Sequence, residues 1–125
     1  MTTKIHRILC IEDDPDTCEM LTLVLNPLGY EVISVHTGED ALEKASSGEF
    51  AVVLLDTNLP DISGIDLCRR IRTFNPHTPM IFYSGEARPE MIEEAMQAGA
   101  QAYLTKPVDP FEVEKNIAKL IEVGK

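Results

Sequence analysis

The amino-acid sequence predicts an α/β fold: a doubly wound, five-stranded parallel sheet between two layers of helix, a (βα)5 three-layer sandwich. Three observations carry this expectation. Short apolar runs alternate five times with stretches of helical periodicity. Several of the runs are continuously apolar, which suits strands covered on both faces. The chain has 125 residues, enough for one ordinary hydrophobic core. The expected organisation is a single domain over residues 1–125 with no effector module.

The elements follow in order. The first run, Ile8-Leu9-Cys10-Ile11, leads into Glu12-Asp13-Asp14. Asp14-Pro15 sets a capping residue before a proline at the first helical position. Cys18, Leu21, Leu25 and Leu28 then recur at helical steps until Gly29. After the second run, Val32-Ile33-Ser34-Val35, the capping-box pattern Thr37-Gly38-Glu39-Asp40 opens a less apolar helix through Ala41 and Ala45. The third run, Ala51-Val52-Val53-Leu54-Leu55, ends at Asp56-Thr57-Asn58, and Leu67, Ile71 and Phe74 mark the next helix. The fourth, Met80-Ile81-Phe82-Tyr83, ends at Ser84-Gly85, and Ile92, Ala95 and Met96 lead to a stop at Gly99. The fifth, Ala102-Tyr103-Leu104, ends at Thr105-Lys106-Pro107. Asp109-Pro110 then opens a helix carrying Val113, Ile117, Leu120 and Ile121.

Composition excludes several function classes. The formal net charge is −10, with 21 acidic against 11 basic residues. Such a surface cannot neutralise a phosphate backbone, so direct nucleic-acid binding is not expected. No apolar run approaches the ~18 residues of a membrane span, and Met1-Thr2-Thr3-Lys4 lacks a signal-peptide core. The three cysteines, Cys10, Cys18 and Cys68, are odd in number, form no C-x-x-C pair and lie in apolar segments. They read as buried free thiols in a reducing compartment, the cytoplasm.

In open parallel sheets, ligand sites lie beyond the carboxyl ends of the strands. At those ends the sequence gathers Glu12, Asp13 and Asp56, the hydroxyl of Ser84 and the amine of Lys106. Carboxylates ~4 Å apart repel by roughly 4 kcal/mol per pair at an effective dielectric near 20. A hard divalent cation such as Mg²⁺ removes that repulsion and leaves coordination positions for phosphate oxygens. Lys106 can act as a point charge toward a phosphoryl oxygen, and Ser84 can donate to another. A carboxylate nucleophile, a metal and a cation are what an aspartyl-phosphate site needs.

Four segments resemble those of response-regulator receiver domains. Ile8 to Pro15 is similar to the acidic-pocket motif, and Val53 to Gly64 to the phosphoacceptor segment. Tyr83-Ser84-Gly85-Glu86-Ala87 is similar to the switch segment, and Ala102 to Pro107 to the lysine segment. The match covers nearly the whole chain in the family's order. It implies a flavodoxin-like sheet with strand order 2-1-3-4-5. It further implies that Asp56 is the phosphoacceptor, Asp13 a direct Mg²⁺ ligand, Glu12 an acid holding the metal through water, and Asn58 the source of a backbone carbonyl ligand. Lys106 would contact the phosphoryl group, and Ser84 with Tyr103 would form the switch. Asn58 and Glu86, each two residues beyond a pocket residue, would tune the lifetime of the acyl phosphate. Lys106-Pro107 would be cis. The acid pair is Glu-Asp where Asp-Asp is commoner, and Gly85 follows the switch serine where a slightly larger residue is frequent. The resemblance also implies partners: a sensor histidine kinase or histidine phosphotransfer protein, and an output protein meeting the fourth helix, fifth strand and fifth helix. His6, His36 and His77 are expected to lie away from the strand ends.

Two other classes share the architecture. A Mg²⁺-dependent phosphohydrolase would place a D-x-D pair after the first strand, whereas here the candidate nucleophile follows the third. A flavin-binding electron carrier needs a hydroxyl- and glycine-rich phosphate loop after the first strand, where this chain has Glu12-Asp13-Asp14. The expected role is signalling, with autocatalytic phosphorylation and slow self-dephosphorylation, not metabolic catalysis.

Overall fold

A computed structural model describes residues 5–123. The elements alternate through the chain: β1 (His6–Ile11), α1 (Pro15–Leu25), β2 (Tyr30–Val35), α2 (Gly38–Ser47), β3 (Val52–Leu55), α3 (Gly64–Phe74), β4 (Met80–Ser84), α4 (Pro89–Ala98), β5 (Ala102–Thr105) and α5 (Pro110–Val123). The strands form one parallel sheet in the order β2-β1-β3-β4-β5. This is the doubly wound arrangement and strand order expected from the sequence.

Strand side chains alternate between faces, and the core divides accordingly. Ile8, Cys10, Val52, Leu54 and Ile81 pack against Cys18, Leu21 and Leu25 of α1 and Val113 and Ile117 of α5. Leu9, Ile11, Val53, Leu55 and Phe82 pack against α2, α3 and α4 through Ala41, Ala45, Leu67, Cys68, Ile71, Ala95 and Ala98. All three cysteines are free and buried. Every residue of β3 and β4 is buried, as continuous apolar runs require. The edge strands β2 and β5 are only partly covered, because each has a single strand neighbour.

The helix signals act as anticipated. Asp14 accepts from the Asp16 N–H and the Thr17 hydroxyl, Thr37 from the Asp40 N–H, and Asp109 from the Phe111 N–H. Gly29 and Gly99 have positive φ at the ends of their helical segments. One detail differs. Pro27 has no N–H to continue the α1 ladder, so the chain tightens into a 3-10 turn at Asn26–Leu28. Leu28 is thereby lifted off the apolar stripe of α1 and stands 47% exposed.

The loop after β3 is anchored to α2. Both Asp61 oxygens accept from free N–H groups at the start of α2, those of Gly38 at 2.8 Å and Glu39 at 3.0 Å. These bonds hold the Asp61 carboxyl below its ordinary value, with the Gly38 N–H the largest cause. Asp61→Ala is expected to lower the melting temperature by a few degrees. An unchanged melting curve would mean that α2 finds other caps.

Candidate functional site

Glu12, Asp56 and Lys106 each stand one residue beyond a strand, yet the sheet still holds their backbones. The Glu12 N–H donates to the Val35 carbonyl at 3.0 Å, that of Asp56 to Ile11 at 3.1 Å and that of Lys106 to Ser84 at 2.7 Å. Three side chains are thus fixed on one rim by hydrogen bonds that extend the strand ladders. Glu12, Asp13 and Asp56 can each offer an oxygen within 4.8 Å of the others. Lys106 Nζ lies 2.6 Å from Glu12 Oε1 and 3.7 Å from Asp56 Oδ2, and 5.1 Å from the centre of the Tyr83 ring. The Lys106-Pro107 bond is cis.

Burial is unequal across the acids. Asp13 is exposed, the Asp56 side chain is 12% exposed, and Glu12 is 3% exposed. Burial pushes Glu12 up to about 8, the neighbouring Asp56 carboxylate adds to the rise, and Lys106 opposes both. Lys106 is held above the usual lysine value. Burial works against its charge, but the hydrogen bond to Glu12 and the charge of Asp56 outweigh it. Glu12 Oε2 is buried without a hydrogen-bond partner among the described residues. A buried carboxylate oxygen with no donor is costly unless a proton, water or cation meets it. The donor set is all oxygen and acidic, which suits a hard cation.

A second group of side chains lines the β4 side. Ser84 is fully buried and Thr57 is 2% exposed. Their hydroxyl oxygens are 2.6 Å apart, and Ser84 Oγ also accepts from the Glu86 N–H at 3.1 Å. The Thr57 N–H donates to Asp56 Oδ1 at 2.7 Å. Tyr103 stacks on Phe82 with ring centres 5.7 Å apart, and its hydroxyl donates to the Glu86 carbonyl at 2.6 Å. Beyond β3, the Gly64 N–H donates to the Thr57 carbonyl at 2.7 Å, and Asn58 bridges to Ser63.

The rim therefore unites Glu12, Asp13, Asp56 and Lys106, with Ser84 and Tyr103 beside it. Asn58 is exposed in its bridge. The Glu86 carboxylate is engaged by Arg88, whose Nε lies 2.7 Å away; Arg88 also lowers its proton affinity. His36 departs from expectation. It directly follows β2, and its Nδ1 donates to the Glu12 carbonyl at 2.8 Å. Two contributors were not singled out from sequence. Thr57 offered a signal, as a second hydroxyl directly after the strand-end acid. The closeness of Gly64 to the Asp56 backbone offered none beyond its presence in the motif.

The family model for the response regulator receiver domain matches residues 8–118. The chain belongs to that family. As a receiver, it is 34% identical over 114 residues to the cell cycle transcriptional regulator CtrA of Caulobacter vibrioides, covering 91% of this chain and 48% of CtrA. It is 35% identical over 114 residues to the uncharacterized transcriptional regulatory protein YkoG of Bacillus subtilis, covering 90% of this chain and 48% of YkoG. The receiver thus spans about half the length of these curated relatives. Among solved structures, a CheY-like response regulator receiver domain protein from Methanospirillum hungatei superposes with a TM-score of 0.93 at 30% identity, covering 97% of each chain. The BeF3-activated DrrB receiver domain superposes with a TM-score of 0.88 at 32% identity, covering 95% of this chain and 99% of that one. No helix among the described residues is long and apolar enough to cross a membrane.

Proposed function

We propose that this receiver accepts a phosphoryl group on Asp56 from a phosphohistidine of a sensor kinase or histidine phosphotransfer protein, and that the modification switches binding of an output partner. The observation that carries the reading is the convergence of Glu12, Asp13 and Asp56 on one rim with Lys106, where buried Glu12 Oε2 has no described partner. An Asp56 carboxylate oxygen attacks phosphorus as the bond from phosphorus to the donor nitrogen breaks. The donor imidazole leaves with that electron pair. Lys106, now shared between Glu12 and Asp56, turns to the incoming phosphoryl oxygens. Glu12, Asp13, Asp56 and the Asn58 carbonyl would hold Mg²⁺. When bound, the ion offsets the repulsion between the acceptor carboxylate and the phosphoryl oxygens.

On the β4 side, the Ser84 hydroxyl donates to a phosphoryl oxygen, and Tyr103 carries the change to the surface formed by α4, β5 and α5. The receiver catalyses its own modification and, slowly, its loss. Asn58 and Glu86 tune that loss, with Arg88 setting where the Glu86 carboxylate sits. The reader of the signal lies outside the receiver unit itself. The three buried free thiols support a cytoplasmic setting.

Incubation with acetyl phosphate and Mg²⁺ is expected to add the mass of one phosphoryl group, seen by intact-protein mass spectrometry. Asp56→Asn or removal of Mg²⁺ by chelation abolishes the addition. Undiminished labelling of Asp56→Asn would assign the acceptor role to another residue.

A further inference from the structure

We infer that Thr57 is a positioning residue that holds the switch hydroxyl of Ser84 in its resting place and thereby sets how readily the receiver responds to a phosphoryl group. The inference rests on the role of Ser84 proposed above and deepens it. Its basis is the pair of buried hydroxyls 2.6 Å apart.

A serine hydroxyl has one proton and two lone pairs. One lone pair of Ser84 is taken by the Glu86 N–H. Thr57 takes part of what remains, at a distance that marks a well-formed O–H···O bond. Ser84 makes no hydrogen bond to Asp56 among the described residues, so its present partners both lie on the resting side. Ser84 has a single proton, and with that proton given to Thr57 it must break this bond before it can donate to a phosphoryl oxygen. Thr57 stays behind, because its own N–H is bonded to Asp56 Oδ1 and its carbonyl accepts from the Gly64 N–H. The Thr57–Ser84 bond therefore stabilises the resting arrangement and contributes nothing to the engaged one. A contact made in one state only shifts the equilibrium by its own strength.

Thr57→Val replaces the hydroxyl by a methyl of similar shape and removes that restraint. The probe is beryllofluoride with Mg²⁺, a phosphoryl mimic. With three tyrosines and no tryptophan, binding is read by tyrosine fluorescence, or by amide resonances of Ser84 and Gly85. Thr57→Val is expected to bind the mimic about fivefold more tightly than the parent, which is roughly 1 kcal/mol. It is also expected to unfold at lower urea concentration, since the resting state has lost a hydrogen bond. A substitution that merely damaged the pocket would weaken both. Thr57→Ser retains the hydroxyl and should restore parental affinity. In a Ser84→Ala background, Thr57→Val should leave affinity unchanged.

Equal or weaker binding by Thr57→Val, or a gain that persists without the Ser84 hydroxyl, overturns the inference and leaves the phosphoacceptor reading intact. If the parent protein itself fails to bind beryllofluoride with Mg²⁺, the phosphoacceptor reading falls and takes the inference with it. Should Thr57→Val not fold, Thr57→Ala supplies the same comparison.

Discussion

Gly64→Ala is expected to destabilise the receiver by roughly 3 kcal/mol or more, although the change adds one methyl group at a helix start. An alanine Cβ at this position would overlap the carbonyl oxygen of Asp56 and lie 2.9 Å from both the Asp56 carbonyl carbon and Thr57 Cα. All three atoms are backbone, so no side chain can rotate away. Gly64 has an ordinary φ, and the requirement is for space alone. The first turn of α3 presses against the peptide that follows Asp56, and relief requires either α3 or the end of β3 to move. Urea unfolding should show a lower midpoint. Acetyl phosphate labelling of the surviving folded fraction should also slow, because Asp56 is displaced from Lys106. A midpoint within error of the parent would show that the loop yields at little cost.

A second large effect concerns pH. Glu12 sits near 4.5 in the unfolded chain and about 8 in the folded one, raised first by burial and then by the neighbouring Asp56 carboxylate. Between those values the folded receiver binds one more proton than the unfolded chain. The corresponding stability is fully present below about 4.5 and is lost as pH rises through about 8. In the presence of chelator, the Glu12 contribution to stability, read as the difference between the parent and Glu12→Gln, should therefore fall between pH 5.5 and 8, by an amount on the order of a few kcal/mol at most. The capping carboxylates Asp14 and Asp61, and Glu86 beside Arg88, are held low and titrate beneath this window. Mg²⁺ takes the deprotonated acid, so its affinity should rise over the same interval with release of a proton. Glu12→Gln should flatten both dependences. An identical slope in the parent and Glu12→Gln would place the titrating group elsewhere.

Much of this could be read from the sequence because the relevant signals are local. Asp14-Pro15, Thr37 and Asp109-Pro110 act through backbone N–H groups within a turn of themselves, and the continuous run at Val52–Leu55 marks a central strand directly. Four strand ends then identify the rim, and the motifs there supply Glu12, Asp13, Asp56, Ser84 and Lys106. What escaped depends on contacts across the fold. Leu28 fits the period of α1, but Pro27 ends the ladder first. His36 meets Glu12 only because β2 pairs with β1 in register. The partnership of Thr57 with Ser84 joins two strand ends 27 residues apart, and adjacency to Asp56 alone does not disclose it.

The two walls of the pocket differ in how they are fastened. On the β3 side the chain is secured by main-chain bonds, Gly64 to Thr57 and the Asn58–Ser63 bridge, and the Asp61 carboxylate pins the loop to α2. On the β4 side the loop hangs largely from two side-chain hydroxyls, Ser84 to the Glu86 N–H and Tyr103 to its carbonyl, with an exposed Arg88 ion pair beyond. A displacement at Asp56 would therefore meet main-chain fastenings toward α2 and α3, and chiefly side-chain hydroxyls toward α4 and β5.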